Sequence, residues 1–149
     1  MAVKEGKKRV VQILLVEDNP GDQRLTTEVF HDSEICNNIH IVSDGVEALA
    51  FLRKEGKYAN VPAPDWILLD LNMPRKDGRE VLAEIKADKR LSGIPVVVLT
   101  TSQSEDDIIK VYDLQANCYI TKPVGMEQFL KVVKQMETFW FGIASLPEQ

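Results

Sequence analysis

Five short runs of β-branched and apolar residues recur along this chain, at Val10–Val16, Ile39–Val42, Trp66–Leu69, Ile94–Leu99 and Cys118–Ile120, and each stops at a turn or a helix-capping signal. Runs of this length are too short for stable helices and read as strands. Between them the apolar residues shift to helical spacing: Leu25 with Val29; Ala48, Leu49 and Leu52; Val81, Leu82 and Ile85; Ile108 with Tyr112; and Met126, Phe129, Leu130 and Val133. Helix starts are marked as well. Asn19 before Pro20 suits a cap and a first helical position, while Asp44 with Glu47, and Ser102 with Glu105, have capping-box spacing. Parallel neighbours need crossovers, and right-handed crossovers use helices, so the alternation predicts a doubly wound α/β fold with five parallel strands covered on both faces. Ile67-Leu68-Leu69 and Val96-Val97-Val98-Leu99, apolar at every position, fit central strands buried from both sides.

With 149 residues, 44% of them hydrophobic, the chain has the material for one compact domain. The expected organisation is a flexible N-terminal segment 1–9, a domain over 10–141 and a C-terminal tail 142–149, with no internal repeat and no room for a separate output domain. The stretch 56–65, with Pro62 and Pro64, reads as a surface connection before the third strand. Lys plus Arg is 18 and Asp plus Glu is 23, a net charge of −5 that disfavours a nucleic-acid clamp. The one basic cluster, Lys4, Lys7, Lys8 and Arg9, precedes an apolar run that Gln12 interrupts and that Glu17 and Asp18 end, so neither a signal peptide nor a membrane span is expected. A cytoplasmic protein is the resulting expectation. Cys36 and Cys118 are too few and too far apart for a disulfide framework or a metal site, and both are expected to be free, buried thiols.

In a doubly wound sheet, ligands bind outside the carboxyl ends of the strands, where the strand order reverses. The first strand here ends in Glu17 and Asp18, the third in Asp70, the fourth in Thr100, Thr101 and Ser102, and the fifth is followed by Lys122 and Pro123. Two carboxylates about 4 Å apart repel by about 4 kcal/mol at an effective dielectric near 20, so three acids do not gather without a cation or raised pKa values. Oxygen donors with no His or Cys nearby point to a hard divalent ion, and an incomplete cage suits Mg²⁺. Lys122 then fits an anion arriving with the metal, a phosphoryl group being the simplest choice.

Glu17-Asp18, Asp70-Leu71-Asn72-Met73-Pro74 with Asp77-Gly78, Thr100, and Tyr119 with Lys122-Pro123 together resemble the receiver domain of two-component response regulators, over about residues 10 to 140. The connection through Pro62 and Pro64, the segment Gly78-Arg79-Glu80-Val81-Leu82 and the aromatic end of the last helix are similar to the single-domain regulators that serve cyanobacterial phytochromes. The resemblance implies a flavodoxin-like (βα)5 fold with strand order 2-1-3-4-5. It implies that Asp70 is the phosphoacceptor, taking a phosphoryl group from a phosphohistidine on a sensor histidine kinase, here a phytochrome-type kinase. Asp18 and Asp70 would hold Mg²⁺ directly, the backbone carbonyl of Asn72 would be a third ligand, and Glu17 would act through water. Lys122 would contact the phosphoryl oxygens. Thr100 and Tyr119 would form the switch that reshapes the face of the fourth helix, fifth strand and fifth helix for protein–protein signalling. Two positions depart from the commonest pattern: Glu rather than Asp at 17, and a branched Thr101 beside Thr100.

Other readings of the same residues carry different consequences. A flavin-binding protein shares this sheet, but the acids of Glu17-Asp18-Asn19-Pro20 would repel a phosphate. A metal-dependent phosphatase with an aspartyl nucleophile usually has a second acid two residues on, where this chain has Asn72. A phosphorylation-independent adaptor would not need the acidic site. Met73 and Met126 are expected to fill the core, and His31 and His40 lack partners at metal-ligand spacing. Phe139, Trp140 and Phe141 cannot all face one core from a single helix, so at least one is expected to reach the surface or a partner; a homodimer through the last helix is the expectation, a tail through Leu146 folded back over them the alternative.

Overall fold

The computed structural model describes residues 10–32, 36–71, 73, 77–100 and 118–121, the last four and Thr100 through their backbone alone. Strands β1 (Val11–Val16), β2 (Asn37–Val42), β3 (Trp66–Asp70), β4 (Val96–Thr100) and β5 (Cys118–Thr121) alternate with helices α1 (Pro20–His31), α2 (Gly45–Leu52) and α3 (Gly78–Ala87). All pairings are parallel, and the order across the sheet is β2-β1-β3-β4-β5, as the resemblance implies. The fourth and fifth helices expected from the sequence lie outside the described residues.

Strand periodicity sorts the core into two layers. Val11, Ile13 and Leu15 of β1, with Trp66 and Leu68 of β3, pack under Val29 and Phe30 of α1. Leu14, Val16, Ile67 and Leu69 turn to the opposite face and pack under α2 and α3 through Ala48, Leu49, Leu52, Val81, Leu82 and Ile85. Every residue of β3 is buried, as a strand covered on both faces requires. Met73 packs on the α2–α3 side, as expected of a core filler. His40 takes a structural place on that side too: its ring bonds Gln12 Oε1 at 2.8 Å and lies against Phe51.

The helix starts follow their capping residues. Asn19 Oδ1 accepts from the Asp22 backbone N–H at 3.0 Å with Pro20 just inside α1, and Asp44 Oδ1 accepts from the Glu47 N–H at 2.8 Å ahead of α2. A full capping box opens α3, where Asp77 accepts from the backbone and Glu80 reaches back to the Asp77 N–H at 3.2 Å. The stretch 56–65 opens with a 3-10 turn, Gly56–Tyr58, and carries no further element before β3.

Three expectations need correction. Cys36 is a free thiol but an exposed one, standing just ahead of the edge strand β2, where its carbonyl accepts from the Val11 N–H at 2.9 Å. On α1 the inward positions are Thr26, Val29 and Phe30, with Leu25 only half-buried. The spacing of these three is helical, and a threonine occupies a position that an apolar search passes over. The fourth strand begins at Val96 and not at Ile94, because Ile94 closes a turn onto the Leu91 carbonyl and Pro95 contributes only its carbonyl, to the Ile67 N–H at 3.0 Å.

Candidate metal centre

The strand order reverses between β1 and β3, and this is where the acids meet. The β1–β3 register pairs Ile13 with Trp66 and Val16 with Leu69, so one step further along both strands sets Glu17 beside Asp70. Both continue the series that faces α1, Ile13 and Leu15 leading to Glu17, and Trp66 and Leu68 leading to Asp70. Adjacent strands run about 4.7–4.9 Å apart, so two side chains on the same face at the same level must approach one another. One carboxylate oxygen from each of Glu17, Asp18 and Asp70 lies within 4.8 Å of the others.

The three acids differ in setting. Glu17 is wholly buried, Asp70 is 3% exposed and Asp18 is exposed at the mouth. Glu17 is fastened from several sides: its N–H continues the β1–β2 ladder to the Val42 carbonyl at 3.0 Å, its carbonyl accepts from Gln23 Nε2 at 2.6 Å, and its Oε2 accepts from the Asn19 N–H at 3.2 Å. Asn19 therefore caps α1 and orients Glu17 together. Asp70 is held by the register of β3 with β4, which pairs it with Leu99, and by the Leu71 N–H bonding the Leu99 carbonyl at 2.9 Å just beyond it. Gln23 shapes the site without having been singled out from the sequence; it sits one turn into α1 and leaves no local signal.

The donor set fits a hard divalent cation. All three groups offer carboxylate oxygen, the chemistry Mg²⁺ and Mn²⁺ accept, and no His or Cys belongs to the cluster. Opposite oxygens around an octahedral Mg²⁺ stand about 4.2 Å apart, twice a bond of about 2.1 Å. Three oxygens within 4.8 Å of one another stand close enough to surround one such ion, directly or through water.

Thr100 lies at the end of β4 and its backbone pairs with Thr121 of β5, while Tyr119 pairs with Val98. The sheet thus brings the ends of β1, β3, β4 and β5 to one edge. The side chains of Thr100 and Tyr119, and residues Asn72, Thr101, Lys122, Phe139, Trp140 and Phe141, lie outside what the structure describes.

Comparison with known proteins matches these features as a set. A model of the response regulator receiver domain matches residues 13–134. The chain belongs to the response regulator receiver family. This receiver is 53% identical over 135 residues to the response regulator Rcp1 of Synechocystis, an alignment covering 91% of this chain and 92% of that protein. Among solved structures, the phosphorylated cyanobacterial phytochrome response regulator RcpA superposes with a TM-score of 0.82 at 54% identity, covering 94% of this chain and all of that one (100%). The Mn²⁺-bound form of Rcp1 superposes with a TM-score of 0.80 at 51% identity, covering 93% of this chain and 99% of that one. The receiver is thus a signalling protein homologous to phytochrome response regulators. Among the described residues, no helix is long and apolar enough to cross a membrane.

Proposed function

We propose that this receiver is the phosphoacceptor of a two-component phosphorelay, with Asp70 taking the phosphoryl group from a phosphohistidine of a phytochrome-type sensor histidine kinase. The observation that carries the reading is the convergence of a buried Asp70 with Glu17 and Asp18 at the point where the sheet reverses. In the transfer, a carboxylate oxygen of Asp70 bonds to phosphorus as the nitrogen–phosphorus bond of the donor breaks and the imidazole leaves. Asp18 and Asp70 are assigned as direct ligands of Mg²⁺, with the carbonyl of Asn72 as a third and Glu17 acting through water, as in the family pattern; the convergence of the three acids supports a shared ion. The bound ion supplies neutralisation of the charge on the transferring oxygens. The chain's own contribution is positioning: Glu17 and Asp70 are locked by the ladders of β1 and β3, and a buried acid surrounded by apolar side chains is sheltered from water.

The family pattern assigns Lys122 to the phosphoryl oxygens, and Thr100 with Tyr119 to the switch that reshapes the face of the fourth helix, fifth strand and fifth helix. A phosphoryl group adds about −1.5 to −2 charges and three acceptor oxygens, which a hydroxyl and an ammonium can meet. Phe139, Trp140 and Phe141 are assigned to a homodimer interface, in a cytoplasmic protein; sedimentation or light scattering that finds only monomers, with and without phosphorylation, refutes the dimer. For the relay itself, the test is a kinase labelled on its histidine and mixed with this protein. Label passes to the wild type in Mg²⁺, and does not pass in EDTA or to Asp70→Asn. Label that stays on the kinase in Mg²⁺, or that moves equally to Asp70→Asn, refutes the reading. Steady turnover of many phosphate esters per molecule would instead favour the phosphatase alternative.

A further inference from the structure

Helix α3 begins on top of the peptide that carries Asp70. A β-carbon at Gly78 would stand 2.4 Å from the Asp70 carbonyl oxygen, 2.6 Å from the Leu71 Cα and 3.1 Å from the Asp70 carbonyl carbon. All three are backbone atoms of the strand end, so no side chain can swing aside to make room. The approach is also bonded, since the Gly78 N–H donates to the Leu71 carbonyl at 3.1 Å. It is fixed in rotation by the capping box, with Asp77 accepting from the Arg79 N–H at 2.7 Å and Glu80 reaching back to Asp77. The other end of the helix start is anchored by Val81 and Leu82, both wholly buried against the sheet.

We infer that Gly78 is a positioning residue for the chemistry at Asp70: the bare backbone of the first turn of α3 seats directly on the Asp70–Leu71 peptide and sets where the Asp70 carboxylate stands relative to Glu17 and Asp18. This rests on the reading of Asp70 as phosphoacceptor. Cβ atoms essentially never approach a heavy atom within 3.0 Å, so any side chain at 78 forces helix and strand end apart by at least 0.6 Å, the difference between 3.0 and 2.4 Å. Functional groups must be held within about 0.5 Å of their working geometry, and a misplacement near 1 Å costs about 100-fold in rate. The displacement is therefore large enough to act on the site while the rest of the core remains packed.

The test uses four proteins: wild type, Gly78→Ala, Gly93→Ala, whose added methyl meets nothing within 4 Å, and Val11→Ala, which destabilises the core at the amino end of β1, the opposite end of the sheet from the acids. Each is assayed for Mg²⁺ affinity, for the rate of phosphorylation by a small phosphodonor at saturating Mg²⁺, and for its denaturation midpoint. The expected result is a fall of about tenfold or more in both affinity and rate for Gly78→Ala. Gly93→Ala and Val11→Ala should stay within about twofold of wild type on both, even where Val11→Ala loses as much stability. Should Gly78→Ala not fold, Asp77→Ala, which only loosens the cap, replaces it and is expected to shift the same two readouts by a smaller factor. Wild-type affinity and rate in Gly78→Ala, or an equal fall in a Val11→Ala of matched stability, overturns the inference. A wild type that accepts no phosphoryl group refutes the phosphoacceptor reading instead, and Mg²⁺ affinity still decides whether Gly78 positions Asp70.

Discussion

Replacing Asp70 by Asn should stabilise the metal-free protein, although it destroys the site. At the 4.8 Å limit of the cluster, two full charges repel by about 3.5 kcal/mol at an effective dielectric of 20, the setting of the buried pair Glu17 and Asp70. Toward the exposed Asp18, in bulk-water dielectric, the same distance gives about 0.9 kcal/mol. Lost hydrogen bonding offsets part of this, since an amide matches the partners of a carboxylate only in part; a net gain of about 1–3 kcal/mol is expected. For a chain of 149 residues this corresponds to about 2–4 °C per kcal/mol in melting temperature. The assay is thermal or urea unfolding of both proteins in EDTA and in excess Mg²⁺. In EDTA the variant should melt higher. Mg²⁺ should then raise the wild type by about 2.7 kcal/mol at 100 times its dissociation constant and leave the variant nearly unmoved, closing or reversing the gap. A variant that is no more stable than wild type in EDTA would show that the three acids do not repel one another, and the reasoning from their convergence would fail.

Asp18→Asn should weaken Mg²⁺ binding by more than the about 10–100-fold that loss of a supporting partner costs, with little change in stability because Asp18 is exposed; calorimetric titration reads it. Tyr58, half-buried against Phe51 and donating to the Glu47 carboxylate, has its phenol pushed up from 10.0 to about 12, first by burial and then by Glu47 and Asp44. The folded state thus holds the phenolic proton more tightly than the unfolded chain. The stability this contributes is complete below pH 10 and is lost as the pH rises from there toward 12. Tyrosinate absorbance should show one late-titrating phenol that Tyr58→Phe removes, and titration of that phenol near its ordinary value would contradict the packing described.

How much of this could be read in the sequence depended on how many layers each residue touches. Central strands announce themselves, because β3 is buried on both faces and must be apolar throughout; its run was legible to within a residue. The edge strand β2 was read from Ile39 although it begins at Asn37, since a strand with one neighbour is held by its ladder to β1, where polar side chains cost little. The same edge position explains why Cys36 is exposed despite the buried habit of its residue type. The caps at Asn19 and Asp44 were legible because an N-cap is a local event. The box at Asp77 has the same spacing to Glu80 and was visible in principle. The acids of the site were legible for a topological reason, standing at the ends of runs that a parallel sheet must bring to one edge. What the sequence did not show was the support beneath them. The Gln23 amide on the Glu17 carbonyl and the contact of Gly78 with the Asp70 peptide depend on where two helices sit, which no local pattern encodes.

The most direct test of the account is the chemical identity of position 70 after exposure to a phosphodonor. The protein is incubated with Mg²⁺ and a small phosphodonor, and the modified residue is located by mass spectrometry, with Asp70→Asn in parallel. The account predicts one phosphoryl group per molecule on Asp70, formed only when Mg²⁺ is present and absent from the variant. A phosphoryl group found on another residue, or an unmodified Asp70 with Mg²⁺ bound, would contradict it.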